Sequence, residues 1–312
     1  MKGTRIAKVV WVAAAAFFWL ARPFPAGAAE VKPEEAVARH LESLGDAKAL
    51  ADAKTRVAEG TVQYKILVGG SGNLDGKSVL VSDGRKFQFM LKFTNNDYRG
   101  ERYICDGDKI QVASATPALT RSGLGHFIYI HDAVVREGLL GGTLSTAWPL
   151  LHLDERKAKL SYEGLKTIEG QQLHDLRYRP RKNSDLDIHL YFDSETFRHV
   201  RTVYTFTVRP GLGYRDATAP VDLGGSNPNA IPPESQRESS ETQTARQQET
   251  RYRLEERFSE FKTVDGLTLP MHHNIHFTQE LKNGRTSLSE WDITESNVMH
   301  NVSLDPRNFQ VR

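Results

Sequence analysis

Cysteine is almost missing from this sequence: one residue, Cys105, stands among 312. No disulfide can form within the chain, so the folded protein depends on a hydrophobic core for its stability. Hydrophobic residues make up 39% of the chain, which is sufficient for such a core. Cys105 lies in an apolar segment, and we predict that it is a packed strand residue rather than a nucleophile.

The standard signatures of catalysis are also absent. The sequence contains no G-x-S-x-G elbow, no H-E-x-x-H motif and no C-x-x-C pair. Two glycine-rich segments, Gly70–Gly72 and Gly211–Gly213, do not lie between a strand and a helix, so they do not fit a phosphate-binding loop. We therefore predict that the protein is not an enzyme and holds no cofactor.

Neither sign of charge is in excess. The formal net charge is +2, but the first 28 residues contain Lys2, Arg5, Lys8 and Arg22 and no acid. Without them, 37 basic residues stand against 39 acidic ones, a net charge of −2. A nearly neutral surface produces no long-range field to attract a polyanion, so nucleic acid is not an expected partner.

One histidine-rich segment, Met271–His276, raises the question of a metal site. In a strand, His272 and His276 share a face but stand about 13 Å apart, at roughly 3.3 Å per residue, and His273 points the other way. A zinc site would need further ligands from neighbouring strands, such as His189 or His199. We predict no metal, with His272 and His276 as surface histidines.

Long hydrophobic runs are limited to the leader. Basic residues precede the apolar run Val9–Leu20, and Ala26-Gly27-Ala28 provides small residues for cleavage before Ala29. A run of twelve residues is too short to cross a bilayer core. We interpret residues 1–28 as a cleaved signal peptide. No cysteine follows the cleavage site, so we expect a periplasmic protein without a lipid anchor.

The segment Leu173–Val208 organises the remainder of the chain. Apolar residues occupy alternate positions in it, and polar residues fill the places between them, which is typical of strands with one dry and one wet face. Short polar segments at Pro180–Ser184 and Asp193–Thr196 are suited to reversing the chain. We predict an antiparallel meander. Cross-strand charge pairing on a solvated outer face would account for the charged residues that alternate with apolar ones, which are Arg177, Arg179, Asp185, Asp187, Arg251 and Arg253.

Five dipeptides with a turn-forming sequence lie near or between other alternating runs. They are Asp75-Gly76, Asp83-Gly84, Asp106-Gly107, Asp265-Gly266 and Asn283-Gly284. Together with the meander they give about eleven strands, of which the first is expected around Val62–Val68 and the last three at Arg251–Val264, Leu267–Phe277 and Arg285–Thr294.

Helical periodicity is confined to a few segments. Pro33–Leu44 has a proline in its first turn, followed by two acids, and ends before Gly45, and a short piece at Asp46–Lys54 follows. Phe127–Leu140 and Thr143–Leu151 form the long interruption between strands. We expect this interruption to lie across the open side of a curved sheet, as a plug or lid.

Residues 209–248 differ in composition from the segments on either side of them. They are rich in Gly, Pro, Ser, Asn, Gln and Glu and show no apolar period, so they cannot bury enough surface to offset the entropy of ordering. We predict a disordered insertion between two strands of a single domain that spans residues 29–312.

Three segments resemble the superfamily of periplasmic lipoprotein carriers and their outer-membrane receptors, the LolA/LolB-like or outer-membrane lipoprotein-sorting proteins. They are Tyr103–Ile110, with its Asp-Gly turn; Leu176–Pro180 together with Ile188–Asp193 and Thr196; and Phe258–Lys262 together with Val264–Pro270. The resemblance implies an α+β, mainly β fold, in which a strongly curved antiparallel sheet forms an incomplete barrel closed by helices around an apolar cavity.

The same resemblance implies a soluble carrier of lipoprotein acyl chains or other lipids, which an inner-membrane release complex would load and an outer-membrane receptor would unload. Such a carrier must replace the burial that an acyl chain loses on leaving the bilayer, about 0.8 kcal/mol per methylene. The candidate cavity residues are Phe87, Phe89, Leu91, Phe93, Leu139, Trp148, Leu160, Tyr162, Ile188, Leu190, Phe192, Tyr204, Phe206, Met271, Ile275 and Phe277.

Three alternatives stay open at this point. The same residues could form a filled core rather than the wall of a cavity. The protein could also be a periplasmic sensor or adaptor of this fold, which regulates envelope assembly through a protein partner, or an enzyme that uses the histidine-rich strand.

Overall fold

A computed structural model describes residues 31–115, 121–182, 184–208, 249–281 and 283–311. The predicted signal peptide, 1–28, and the predicted insertion, 209–248, lie outside the described residues. Within the described ranges, no helix has the length and the apolar character needed to span a membrane.

Two short helices precede the sheet, as predicted. Helix α1, Pro33–Leu44, has Pro33 in its first turn and buries one stripe that includes Ala36 and His40. Helix α2, Ala47–Asp52, is capped at its N-terminus by Asp46, whose carboxylate accepts a hydrogen bond from the backbone N–H of Ala49 at 2.7 Å. Such an N-cap satisfies one of the donors that the first turn leaves free.

The described strands form one antiparallel sheet. They are β1 Thr55–Val68, β2 Asn73–Asp83, β3 Lys86–Phe93, β4 Gly100–Cys105, β5 Ile110–Ser114, β6 Lys159–Ile168, β7 Gln171–Arg179, β8 Asp187–Asp193, β9 His199–Val208, β10 Thr250–Val264, β11 Leu267–Leu281 and β12 Thr286–His300. Their order is β5-β4-β3-β2-β1-β12-β11-β10-β9-β8-β7-β6, so β5 and β6 are the two edges.

The Asp-Gly and Asn-Gly signals locate four of the reversals correctly. The exception is Asp75-Gly76, which lies inside β2, while the reversal between β1 and β2 is at residues 69–72. Gly76 is needed there because a Cβ at this position would lie 2.4 Å from the carbonyl oxygen of Lys92 on β3. A glycine within a strand often marks such a close approach of another backbone.

The sheet is strongly curved. Phe89 on β3 and His273 on β11 are separated by three intervening strands, yet their ring centroids are 6.0 Å apart. In a flat sheet, with strands about 4.8 Å apart, the same residues would be separated by roughly 19 Å. The predicted fold class is therefore confirmed: a mainly β, incomplete barrel, with twelve strands among the described residues rather than about eleven.

The two faces of the sheet differ as the alternation predicts. The inner, concave face carries the main hydrophobic cluster, which includes Cys105, and burial raises the pKa of that thiol. The outer face carries ion pairs such as that between Arg177 Nε and Asp187 Oδ1, at 2.7 Å. The predicted packing of Cys105 in a strand and the predicted charge pairing on the outer face are confirmed.

Residues 121–157 lie against the inner face, and we call this segment the cover. It was predicted as two long helices but consists of short pieces: α3 Gly123–Ile130, α4 Ala133–Arg136, 3-10 turns at Gly142–Leu144 and Pro149–His152, and α5 Leu153–Arg156. Gly138 and Gly141 interrupt it with φ values of 71° and 80°, in the left-handed region that glycine tolerates. Its position across the inner face agrees with the prediction.

Strands β9 and β10, which flank residues 209–248, pair with each other, and Val208 lies opposite Thr250. The chain therefore leaves the sheet and returns to it at neighbouring positions.

Candidate functional site

The structure brings the sixteen predicted cavity residues together. All of them belong to the inner-face cluster or pack against it. Leu160, Tyr162 and Phe206 are partly buried, and the other thirteen are buried. Leu139 and Trp148 belong to the cover, and the remainder belong to the sheet.

In the described state, the middle of this cluster is filled by the protein's own side chains. A space large enough for water would leave part of the surrounding side chains accessible, but Trp148, Phe192 and Tyr204 are all 0% exposed. Two depressions, of about 380 and 250 Å³, are lined by residues near Glu249 and Asp46, respectively, and neither contains a predicted cavity residue.

The cover is attached to the sheet by buried polar groups, and the first of these is Glu101 on β4. This carboxylate, 0% exposed, accepts hydrogen bonds from the backbone N–H and the hydroxyl of Ser122, at 2.7 and 2.6 Å. The hydroxyls of Tyr98 and Tyr103 donate to it at 3.2 and 2.9 Å. A Cβ at Gly125 would lie 1.9 Å from Glu101 Oε1, so glycine is required at that position of α3.

A second attachment joins the middle of the cover to Glu256 on β10. Glu256 is 0% exposed and accepts hydrogen bonds from the backbone N–H of Gly141 and from the hydroxyl of Tyr204, both at 2.7 Å. His273 Nε2 lies 2.9 Å from the same carboxylate. Burial raises the pKa of Tyr204 well above its usual value, and the charge of Glu256 adds to this effect.

Strands β1 and β2, in the interior of the sheet, make further contacts with the cover. Arg56 on β1 donates from Nη1 to the carbonyl oxygen of Thr143 at 2.6 Å, and the Ser82 hydroxyl on β2 accepts from the backbone N–H of Thr146 at 2.9 Å. Hydrogen bonds to buried polar atoms of this kind fix the position of a segment in a way that apolar packing does not.

Helix α1 also holds the cover. The indole N–H of Trp148 donates to His40 Nε2 at 3.0 Å, and His40 Nδ1 donates to the carbonyl oxygen of Phe197 at 3.0 Å. Because His40 is completely buried, its pKa is lowered to about 4, so the imidazole is neutral at pH 7.

The histidine-rich strand lies as its alternation predicted. His272 and His276 are on the outer face, where His272 pairs with Asp292 and His276 Nε2 lies 2.7 Å from Glu290. His273 is on the inner face. Within the described ranges, no group of three or more His, Cys, Asp or Glu side chains is arranged to hold a metal ion.

The sequence analysis did not identify the buried acids of the inner face, although the sequence contains a signal for them. Glu101 has the same strand parity as Tyr103 and Cys105, and Glu256 has the same parity as Leu254 and Phe258. An acid in the apolar register of a strand is buried if the register holds, and a buried acid needs donors. Their partners on the cover could not be identified in this way.

No protein-family model matches this chain, and no curated protein matches it. Among solved structures, it is similar to a DUF1329 family protein from Desulfovibrio piger, at 13% identity over 89% of this chain and 96% of that chain, with a TM-score of 0.46. It is also similar to a LolA superfamily protein from Nitrosomonas europaea, at 12% identity over 90% and 99% of the two chains, with a TM-score of 0.45.

A third similar structure is a domain from Vibrio parahaemolyticus named for outer membrane lipoprotein sorting. It is 10% identical over 88% of this chain and 96% of that chain, with a TM-score of 0.42. The second and third structures carry the superfamily name that the sequence segments suggested. At these identities and TM-scores the likeness concerns the fold and carries no argument about activity or ligand.

Proposed function

We propose that this protein is a periplasmic carrier that binds the acyl chains of lipoproteins, or related lipids, between the inner face of its sheet and the cover. One observation carries the proposal. The cover lies on a broad apolar surface but is fixed to it at a few polar points, among them Glu101, Glu256 and Arg56.

Polar attachments of this kind suit a segment that detaches. When the cover moves, its backbone donors and the sheet's acceptors exchange their partners for water, so each hydrogen bond to a charged group such as Glu101 contributes about 1.5–3 kcal/mol net. The apolar inner face is costly to expose, at about 25 cal/mol per Å². An acyl chain that enters between the sheet and the displaced cover restores this apolar burial, so opening and binding are coupled.

The surroundings of the site also suit such a cargo. The side chains between the sheet and the cover include Phe89, Leu91, Leu190 and Phe192, all buried. An acyl chain in water loses about 0.8 kcal/mol per methylene relative to a bilayer, and an aliphatic and aromatic wall restores that burial. The leader predicted at residues 1–28 supports export to the periplasm, where such a carrier would work.

A disulfide lock tests the proposal. Ser82 Oγ and the backbone nitrogen of Thr146 are 2.9 Å apart, so Ser82→Cys with Thr146→Cys, in a Cys105→Ala background, should join the cover to β2 when oxidised. The matched control is Glu59→Cys with Asn297→Cys, a directly paired position on β1 and β12 that does not involve the cover. Binding is measured with a fluorescent fatty acid, 11-(dansylamino)undecanoic acid.

We expect the oxidised lock to lose at least tenfold in affinity and to recover it on reduction, while the control pair binds equally in both states. Equal binding by the oxidised and reduced lock would contradict the role of the cover, and failure of the reduced proteins to bind would contradict the carrier. Native mass spectrometry of protein purified from its own periplasm adds a second readout. Bound lipid supports the carrier, and a protein partner in its place favours a sensor or adaptor.

A further inference from the structure

Three neighbouring strands place a polar group in the apolar inner face. Glu295 on β12, Gly60 on β1 and Ser78 on β2 lie directly opposite one another in the sheet register, so they share one face. That face is the inner one, because Leu91 on β3 lies opposite Ser78, Ile293 lies two residues before Glu295, and both belong to the main hydrophobic cluster.

Each of the two polar side chains has one buried oxygen without a partner among the described residues. Glu295 is 6% exposed and Ser78 is 1% exposed. Neither Glu295 Oε2 nor Ser78 Oγ has a hydrogen-bond partner among the described residues. Other buried acids on the described strands, including Glu101 and Glu256, do accept hydrogen bonds. A buried carboxyl oxygen without a donor is rare in folded proteins, and it calls for a specific explanation.

Gly60 lies between these two side chains and has no side chain of its own to cover the backbone there. A Cβ at Gly60 would lie 3.0 Å from Glu295 Oε2 and 3.0 Å from Ser78 Oγ, so both oxygens point over the same glycine. It would also lie 2.3 Å from the carbonyl oxygen of Thr294, at a point where the register between β1 and β12 shifts. Glycine in a strand is often found where another group must approach the backbone closely.

We propose that Glu295 and Ser78 form a polar recognition point within the cargo site, which binds a neutral hydrogen-bond donor, either a hydroxyl or an amide N–H, carried by an acyl or alkyl chain. This inference rests on the proposed function, because the point faces the interior that the cover closes. The donor supplies Glu295 with the hydrogen bond that the described residues do not provide, and the attached chain lies along neighbours such as Leu91 and Ile293.

The donor is neutral because the position is apolar. Within the inner-face cluster, the neighbours on the same strands are Leu80, Ala58 and Ile293, none of which can help to solvate an ammonium group. Burial also raises the pKa of Glu295 to about 7, so a bound cation would not meet a permanently ionised carboxylate near neutral pH.

Two pairs of matched ligands test the recognition point. Hexadecanol and 1-methoxyhexadecane differ in one hydroxyl donor, and N-methylpalmitamide and N,N-dimethylpalmitamide differ in one amide donor. The affinity of each for the full-length mature protein is measured by displacement of 11-(dansylamino)undecanoic acid. In the wild type, we expect the donor-bearing member of at least one pair to bind about tenfold more tightly, which corresponds to about 1.4 kcal/mol. The pair that shows the larger ratio identifies the source of the donor.

The variants are Glu295→Met, which keeps the length of the side chain and removes the acceptor, and Ser78→Ala. We expect the affinity ratio to fall to about one in Glu295→Met and to an intermediate value in Ser78→Ala. Glu59→Met, on the exposed opposite face of β1, is the control and should keep the wild-type ratio. Circular dichroism and melting temperature establish that each variant is folded.

Two results would overturn the inference in distinguishable ways. If the wild type binds both members of each pair equally, or if Glu295→Met keeps the wild-type ratio, the recognition point is wrong and the carrier stands. If the wild type binds none of the four ligands, the proposed function fails with it.

Discussion

Two buried glutamates on the inner face of the same sheet have opposite surroundings. Glu101 on β4 is 0% exposed and accepts four hydrogen bonds, from Ser122, Tyr98 and Tyr103. Glu295 on β12 is 6% exposed, and its Oε2 atom has no partner in the described part of the chain. Burial alone therefore does not define the role of an acid in this protein.

The difference lies in what each carboxyl group does for the folded state. Burying a polar group is unfavourable unless it is hydrogen-bonded, and removing one partner of a bonded set leaves the others unsatisfied. Glu101 joins the cover to the sheet, so its loss would leave several donors without an acceptor. Glu295 stabilises nothing that the structure shows, so its loss would remove an unfavourable group. The same substitution at the two positions should have opposite effects.

The largest effect is expected for Glu101→Met. The change leaves the backbone N–H of Ser122 and two tyrosine hydroxyls buried without an acceptor, so we expect a loss of about 3–5 kcal/mol in the free energy of unfolding. Urea denaturation at pH 7 measures the loss, with Glu59→Met as the exposed control. A loss below about 1 kcal/mol would mean that the attachment at Glu101 is not structural, and the comparison with Glu295 would lose its basis.

His40 combines features of both glutamates, because it has its partners and its pKa is shifted by burial. Its pKa falls from 6.5 to about 4 in the folded protein, so the unfolded chain binds more protons between these values. Its contribution to stability is present above pH 6.5 and is lost as the pH falls through 4, by up to about 3 kcal/mol. Burial lowers the pKa of His199 as well, so His199 acts in the same direction.

The variant His40→Gln isolates the contribution of His40 to this pH dependence, since an amide can still donate to Phe197 and accept from Trp148 but does not titrate. We expect the wild type to lose stability more steeply than His40→Gln between pH 6.5 and 4, measured by urea denaturation at several pH values. Parallel curves for the two proteins would show that His40 does not titrate in this range.

Glu295 should show the opposite dependence on pH. Its pKa is raised from 4.5 to about 7, so its contribution to stability is fully present below pH 4.5 and is lost as the pH rises through 7. The loss amounts to up to about 3 kcal/mol for the complete shift. Relative to the wild type, Glu295→Met should therefore gain stability from pH 4.5 to pH 8, seen as a widening difference in melting temperature. A constant difference would indicate that Glu295 has a donor after all.

Much of the fold could be predicted because its causes are local. Period-two alternation and dipeptides such as Asp83-Gly84 identify strands and reversals without knowledge of the remaining chain. The broken form of the cover could not be predicted in this way. A Cβ at Gly138 would lie 2.2 Å from the carbonyl oxygen of Ala147, and one at Gly141 would lie 2.6 Å from Leu80 Cδ1. Helical periodicity does not report contacts of this kind, which arise between residues that are not neighbours along the chain.

The residues of the candidate site also differ in whether their positions have local causes in the sequence. The inward position of the apolar strand residues was predicted from strand parity. The burial of Glu101, Glu256 and Glu295 could have been predicted in the same way, because each stands in the apolar register of its strand. The sequence does not show which of these acids find donors. One donor to Glu256, for example, is the backbone N–H of Gly141, which lies 115 residues away along the chain. Only the tertiary structure separates an acid that holds the cover from an acid that has no partner.

The smallest effect is expected on the outer face, where Arg257 donates three hydrogen bonds to Glu169 and Glu255, at 2.7–3.1 Å. The number of bonds is close to that at Glu101, but the side chain of Arg257 is 36% exposed and that of Glu169 is 56% exposed. The third partner, Glu255, is only 6% exposed, but it keeps the hydrogen bonds from Arg253 when Arg257 is removed. Water replaces such bonds when they are lost, so Arg257→Met should cost less than about 1 kcal/mol, and less still in 0.5 M NaCl because salt screens exposed charges. Urea denaturation of Arg257→Met and Glu101→Met under the same conditions then shows whether the loss of stability depends on the burial of the residue or on the number of its hydrogen bonds. A loss at Arg257 equal to that at Glu101 would mean that the number of bonds, and not their removal from water, determines what a polar residue contributes to this sheet.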